Sequence, residues 1–133
     1  MYKKYPQPKV QRIGEEYFKN LNKMRVQLSN GDVMVIEKGF IHDYTSVPFF
    51  VKPFFKKFSK GDMGAVAHDY MYTFGMYAKE DGTVVEVSRD RADYEMAFLM
   101  RVYGDNPIRV YLAHLAVSIF GWLRWGKVIR QIL

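Results

Sequence analysis

Three histidines are the only imidazoles among the 133 residues of this chain: His42, His68 and His114. His42 and His68 are each followed directly by an aspartate, whereas His114 lies in the most apolar stretch and is expected to be packed and hydrogen-bonded. In a helix, neighbouring side chains point about 100° apart, so His68 and Asp69 bond each other poorly but can face adjacent parts of one cavity. Gly64, Ala65 and Ala67 precede them and should leave room beside such a helix. Tyr72, four residues after His68, shares its face and can hydrogen-bond into the same space. A histidine that works as a base also needs an acceptor on its other nitrogen to fix the tautomer. Asp93, five residues into the next expected helix, can supply that acceptor if the two helices pack antiparallel.

Asp43 adds a third carboxylate, in a stretch constrained by Pro48 and by Thr45 and Ser46 turning onto their own backbone. Asp43, Asp69 and backbone carbonyls would make a hard-oxygen site for Ca²⁺ or Mg²⁺, and with His68 included the set also suits Zn²⁺ or Mn²⁺. The same side chains have an architectural reading. Asp93 would favour the positive end of its helix, Asp43 would brace a turn, and His68 would bond a carbonyl. Other chemistries lack their motifs. Ser46 is not in a Gly-x-Ser-x-Gly elbow, Ser59, Ser88 and Ser118 fit helix or turn roles, and Gly61-Asp62-Met63-Gly64 lacks the Lys-Ser/Thr ending of a phosphate loop. No cysteine is present, which excludes a disulfide scaffold, a thiolate zinc site and a cysteine nucleophile.

The elements that must position these groups follow from the hydropathy pattern. Met24–Leu28 alternates, Val33–Ile36 follows, and Asn30-Gly31 between them is a strong short-range hairpin signal. Residues 39–59 hold Pro48 and Pro53 and read as an ordered loop whose Phe49, Phe50, Phe54, Phe55 and Phe58 pack onto the body. Asp62 to Phe74 reads as a helix, with Asp62 as N-cap and Gly75 ending it. A second hairpin runs through Met76–Ala78, turns at Glu80-Asp81-Gly82 and returns as Thr83–Val87. Ser88 caps a helix to about Tyr103, and Gly104-Asp105-Asn106-Pro107 stops it and starts another from Ile108 to about Trp122. The tail beyond Gly126 is expected to add a short helix. The plan is α+β: β-hairpins packed against three or four helices in a single compact domain over residues 21–133, preceded by an N-terminal extension of residues 1–20.

Composition agrees with one globular domain. Apolar residues make up 49% and charged residues 26%, and aromatics reach 17%, enough for a substantial core in a small chain. The formal charge of +6 comes from cations spread along the chain, densest at Lys52, Lys56, Lys57 and Lys60. A solvated surface explains that spread better than a polyanion site, and no nucleic-acid module signature is present. The first residues are not followed by an apolar run of signal-peptide type. Val110 to Leu123 carries no formal charge, but its 14 residues fall short of the about 20 a span requires, so it reads as a buried helix.

Taken in order, Gly39-Phe40-x-x-Asp43-x-x-Ser46-Val47-Pro48, Ala65-x-x-His68-Asp69-Tyr70-x-Tyr72, Arg91-Ala92-Asp93 and Gly121-Trp122-x-x-Trp125 resemble domain of unknown function 1353, a small family found largely in bacteriophages and prophages. The resemblance runs from about residue 21 to residue 126. It implies a phage context and marks Asp43, Ser46, His68, Asp69 and Asp93 as family positions. The family usually has Ser-Val-Pro-Arg, where this chain has Ser46-Val47-Pro48-Phe49, so no cationic role carries over there. His68-Asp69-x-x-Tyr72 with the later Asp93 is also similar, over four residues, to the phospholipase A2 arrangement. In that arrangement a helical His activates water, the adjacent Asp binds Ca²⁺, and an Asp on a neighbouring helix orients the His. This chain has neither that family's cysteines nor a glycine-rich calcium loop.

The resulting expectation is a small phage-encoded protein, made in the host cytoplasm and associated with the virion or its tail, with a His–Asp hydrolase-like site. His68 would be the general base, Asp93 its orienter, Tyr72 a hydrogen-bonding neighbour, and Asp69 with Asp43 ligands for a divalent metal ion such as Ca²⁺, Mg²⁺ or Zn²⁺. A cell-envelope ester or peptide bond would be the target. The alternative is a non-catalytic structural module that docks other phage proteins or a host envelope component, with the same residues as a buried polar network. A third reading is an intracellular effector that binds a host protein. An open hollow beside His68 favours chemistry, and a sealed cluster favours architecture.

Overall fold

A computed structural model describes residues 2–14, 17–42, 60–123 and 125. Strands β1 (Val10–Arg12), β2 (Phe18–Asn20) and β5 (Ile41–His42) form one antiparallel sheet in the order β1-β2-β5. Strands β3 (Met24–Gln27), β4 (Val33–Ile36), β6 (Met76–Lys79) and β7 (Val84–Glu86) form a second, in the order β3-β4-β6-β7. Helices α1 (Asp62–Phe74), α2 (Arg89–Val102) and α3 (Pro107–Phe120) complete the domain, and a 3-10 turn at Gly121–Leu123 follows. This is the α+β plan of hairpins against three helices.

Both expected hairpins form, and by the same device. In the first, Leu28 N–H donates to Asp32 O and Gly31 N–H to Leu28 O; in the second, Lys79 N–H donates to Thr83 O and Gly82 N–H to Lys79 O. Each loop is a three-residue turn closed by a glycine at positive φ, 91° at Gly31 and 87° at Gly82. Asn30 Oδ1 accepts from Asp32 N–H and Asp81 Oδ1 from Thr83 N–H, so an Asx turn precedes the returning strand in both. The register pairs Val26 with Met34 and Tyr77 with Val85. It turns Met24, Val26 and Leu28 inward, where they meet Met63, Val66 and Met71 of α1 and Leu99 of α2. A fully buried aliphatic side chain of this size stabilises by roughly 1.5–3 kcal/mol, so this interface dominates the fold.

Residues 10–20, read from sequence as part of an extension, supply β1 and β2, and Phe18 is buried in the main core. The segment before them lies along the body: Tyr2 Oη donates to Gln27 O at 2.5 Å, and Tyr103 Oη donates to Tyr5 O at 2.6 Å. Two helix ends follow expectation. Ser88 Oγ accepts from Arg91 N–H at the start of α2, and Gly75, at φ 67°, closes α1 by donating to Met71 O. The start of α1 does not. Gly61 occupies the N-cap and Asp62 is the first helical residue, buried at 7% exposure. The acceptor at this end comes from far away, as Gln7 Oε1 takes the Met63 N–H at 3.1 Å.

Helix α3 departs furthest from its sequence reading. Val110, Ala113, Ala116 and Val117 are buried, against Met96, Ala97 and Met100 of α2, but the opposite side of the helix is open. His114, expected to be packed, is half-buried. The charge-free run is a helix with two apolar faces rather than one surrounded by protein. The loop at 43–59 and the tail beyond Gly126 lie outside the described residues.

Candidate functional site

Helices α1 and α2 run antiparallel and very close, and Gly64 sets their separation. A Cβ at that position would stand 2.7 Å from Met96 O and 3.1 Å from Met100 Cγ. At Gly64 the expected space is therefore filled by the backbone and side chains of α2. The same approach brings the sequence-predicted residues together. His68 and Tyr72, one turn apart on α1, both reach Asp93 of α2.

Asp93 Oδ1 is the meeting point. His68 Nε2 lies 2.8 Å from it, and Tyr72 Oη donates to it at 2.6 Å. With Asp93 Oδ1 as the acceptor, the His68 proton sits on Nε2. The imidazole and phenol rings lie 4.1 Å apart at 34°. Burial, followed by the hydrogen bond to Asp93, holds the Tyr72 phenol well above its ordinary pKa, so it stays a neutral donor. Asp93 Oδ2 is buried and has no hydrogen-bond partner among the described residues; the same holds for Nη1 of Arg89, one turn earlier on α2.

The cluster is sealed. His68 and Asp93 are each 1% exposed and Tyr72 4%. Its roof comes from the closing Gly-Trp-x-x-Trp motif. A Cβ on Gly121 would lie 2.2 Å from Tyr72 Oη, so only glycine lets the 3-10 turn settle over the phenol. The Trp125 ring then meets the Tyr72 ring edge-on, with centroids 5.1 Å apart. His68 itself is buried, so the space expected beside it is not open to solvent. A cavity of about 230 Å³ does exist, but Tyr5, Gln7, Lys9, Lys23 and Arg25 help to line it, and no member of the cluster does.

The expected metal ligands fare differently. Asp69 is buried at 4% exposure on α1, and its backbone carbonyl accepts from Thr73 Oγ1 at 2.8 Å. Asp43 and Ser46 lie outside the described residues. Among the described residues, no three His, Asp, Glu or Cys side chains converge as a metal site. His42, the other His–Asp candidate, belongs to the β1-β2-β5 sheet. It is 2% exposed, bonds Asn20 Oδ1 through Nε2 at 2.9 Å and stacks against Phe18 and Phe40.

Sequence reasoning missed a second polar network on the far side of α2. Glu95, 1% exposed, accepts from both the backbone N–H and the hydroxyl of Ser29 in the first hairpin turn. Arg91 sits one turn before it, with Nε 3.7 Å from Glu95 Oε1 and Nη2 donating to Tyr77 Oη at 3.2 Å. Tyr77 in turn donates to Asp32 Oδ2 at 2.5 Å, and that bond holds the Asp32 carboxyl below its ordinary pKa. The i,i+4 spacing of Arg91 and Glu95 was the available signal. Thus Arg91-Ala92-Asp93 divides its labour, with Arg91 facing the hairpins, Ala92 in the core and Asp93 facing α1.

No curated protein and no solved structure matches the chain. A family model described as a protein of unknown function, DUF1353, matches residues 18–117, from β2 through most of α3 and across His68, Tyr72 and Asp93. With three quarters of its length inside that match, the chain belongs to the DUF1353 family.

Proposed function

We propose that this chain is a small phage-encoded structural module, a component of the particle or its tail, in which His68, Asp93 and Tyr72 form an internal clasp. One observation carries this reading: two donors from α1 converge on a single Asp93 oxygen with all three side chains at 4% exposure or less. Buried donors on one helix, an acceptor on the next and a roof from the 3-10 turn fix how three elements meet. The phage setting rests on the family resemblance, whose motifs here become packing features: Gly121 and Trp125 close over Tyr72, and Asp93 ties α2 to α1.

A hydrolase-like site is the second reading, and the His68–Asp93 bond favours it. A carboxylate 2.8 Å from Nε2 is the orienter that a histidine base requires. For catalysis the roof would have to open, and Asp69 with Asp43 would supply any divalent ion. His68→Ala separates the two. On the clasp reading, the variant leaves Asp93 one hydrogen bond short and Tyr72 beside a cavity, costing about 2–3 kcal/mol and lowering Tm by roughly 10 °C. Ca²⁺, Mg²⁺ and Zn²⁺ then leave Tm unchanged, and the wild type hydrolyses activated esters and cell-wall peptides no faster than the variant. Turnover that disappears in His68→Ala, or a metal-dependent rise in wild-type Tm, would establish the hydrolase instead.

A further inference from the structure

The open side of α3 and the 3-10 turn after it carry a stripe of large apolar side chains: Ile108 is 71% exposed, Tyr111 67%, Leu115 44%, Ile119 51% and, in the turn, Trp122 63%. At 100° per residue, Ile108, Tyr111, Leu115 and Ile119 fall within an arc of about 80° and run for about 17 Å along the helix. The buried residues Val110, Ala113, Ala116 and Val117 occupy the opposite arc, so the stripe contributes nothing to the core. Soluble monomers rarely leave a contiguous apolar surface of this kind uncovered.

Charge indicates what covers it. From Asn106 to Leu133 the sequence holds no Asp or Glu, while Arg124, Lys127 and Arg130 are cationic; Arg109, on the helix itself, pairs with Asp105 at 3.5 Å. Arg101, in the last turn of α2, is exposed and adds to the same sign. An apolar helix face with tyrosine and tryptophan towards its two ends and cations in its flanking sequence matches the interface of an anionic bilayer. There, aromatic rings sit at headgroup depth and each nearby Lys or Arg gains about 1 kcal/mol. A second copy is the poorer occupant, because two-fold pairing would press two acid-free cationic segments together. Spanning is excluded for this helix, since none in the described residues is long and apolar enough to cross a membrane.

We propose that the exposed face of α3 docks in the plane of an anionic phospholipid surface, inserting Ile108, Leu115, Ile119 and Trp122. This surface is separate from the His68 clasp, and the proposal stands whichever reading of that clasp holds. The test uses the full chain with vesicles of phosphatidylcholine alone and of phosphatidylcholine with phosphatidylglycerol. Sedimentation with the anionic vesicles, a blue shift of tryptophan fluorescence lost in Trp122→Phe, and weakening by salt are the expected results. Leu115→Glu with Ile119→Glu, both at open positions, should keep Tm within a few degrees while reducing vesicle binding by about tenfold or more. Equal binding to neutral vesicles, no binding to anionic ones, or binding unchanged in the double variant overturns the proposal. A wild-type dimer that the double variant dissolves, without vesicle binding, would give the face to a second copy.

Discussion

At the scale of single residues, the cluster is organised by one oxygen and one missing methyl group. Asp93 Oδ1 accepts from both His68 and Tyr72, and Gly121 lies so close to Tyr72 Oη that a Cβ there would stand 2.2 Å away. These two facts are coupled through the phenol and can be separated by a double-mutant cycle. Gly121→Ala should cost about 2–3 kcal/mol, because Tyr72 must leave Asp93 or the turn must lift. Tyr72→Phe alone should cost about 1–1.5 kcal/mol, since it removes one hydrogen bond to a charged acceptor. In the double variant the nearest clash is gone and only Cζ and Cε2, at 3.0 and 3.1 Å, remain, so the combined cost should fall short of the sum by about 1 kcal/mol. Denaturant unfolding of the four proteins measures this, and strict additivity would mean that Gly121 does not act through Tyr72. The residues of the cluster were legible in the sequence because i,i+4 spacing and an antiparallel pair sufficed to bring them together. Its closure was not, since the small residues before His68 suggested free space and gave no sign that the α2 backbone would occupy it at Gly64.

At the scale of elements, the β1-β2-β5 sheet joins its backbone pairing, extended by Asn20 N–H to Phe40 O and Gly39 N–H to Asn20 O, to buried side-chain contacts. Among the described residues, β5 pairs with β2 at Phe18 with His42 and Lys19 with Ile41. His42 adds a buried bond to Asn20 and sits between aromatic rings, and that burial pushes its pKa down to about 4. A histidine whose folded pKa lies below its unfolded value of about 6.5 binds fewer protons folded than unfolded, so stability rises with pH across that interval. The contribution is complete above about pH 6.5 and is lost as pH falls towards 4, with a size on the order of 3 kcal/mol. The wild-type Tm should therefore drop between pH 6.5 and 4.5 more steeply than that of His42→Gln, which cannot charge. Parallel slopes in the two proteins would show that carboxylates alone set the acid limit. Hairpins and helices announced themselves through Asn-Gly, Asp-Gly, Ser88 and Pro107. Three-residue strands such as β1 and β2 carry too little periodicity to read, and the apolar run of α3 does not say which of its faces is covered.

At the scale of the whole molecule, the N-terminal segment closes the fold around the helix that carries the cluster. Gln7 Oε1 accepts from Met63 N–H and Gln7 Nε2 donates to Lys60 O, so one side chain caps α1 from 56 positions away and pins the chain that enters it. Tyr2 and Tyr5 fasten the same segment to Gln27 and Tyr103. The sequence reading placed the cap at Asp62 because local patterns favour an acidic residue at a helix start; an acceptor supplied by a distant segment leaves no trace in spacing. The energetic consequence is divisible. Gln7→Ala removes one cap and should cost about 1 kcal/mol, as loss of a local cap does. Removing residues 1–9 also deletes the two tyrosine anchors and exposes the ring of Phe98, against which Tyr2 packs with centroids 5.6 Å apart. That deletion should cost about 3–4 kcal/mol and lower Tm by more than 10 °C, with amide exchange rising first in the opening turn of α1. Unchanged protection of Met63 and Gly64 after the deletion would show that α1 holds its start without help, and would return the segment to the role of an extension.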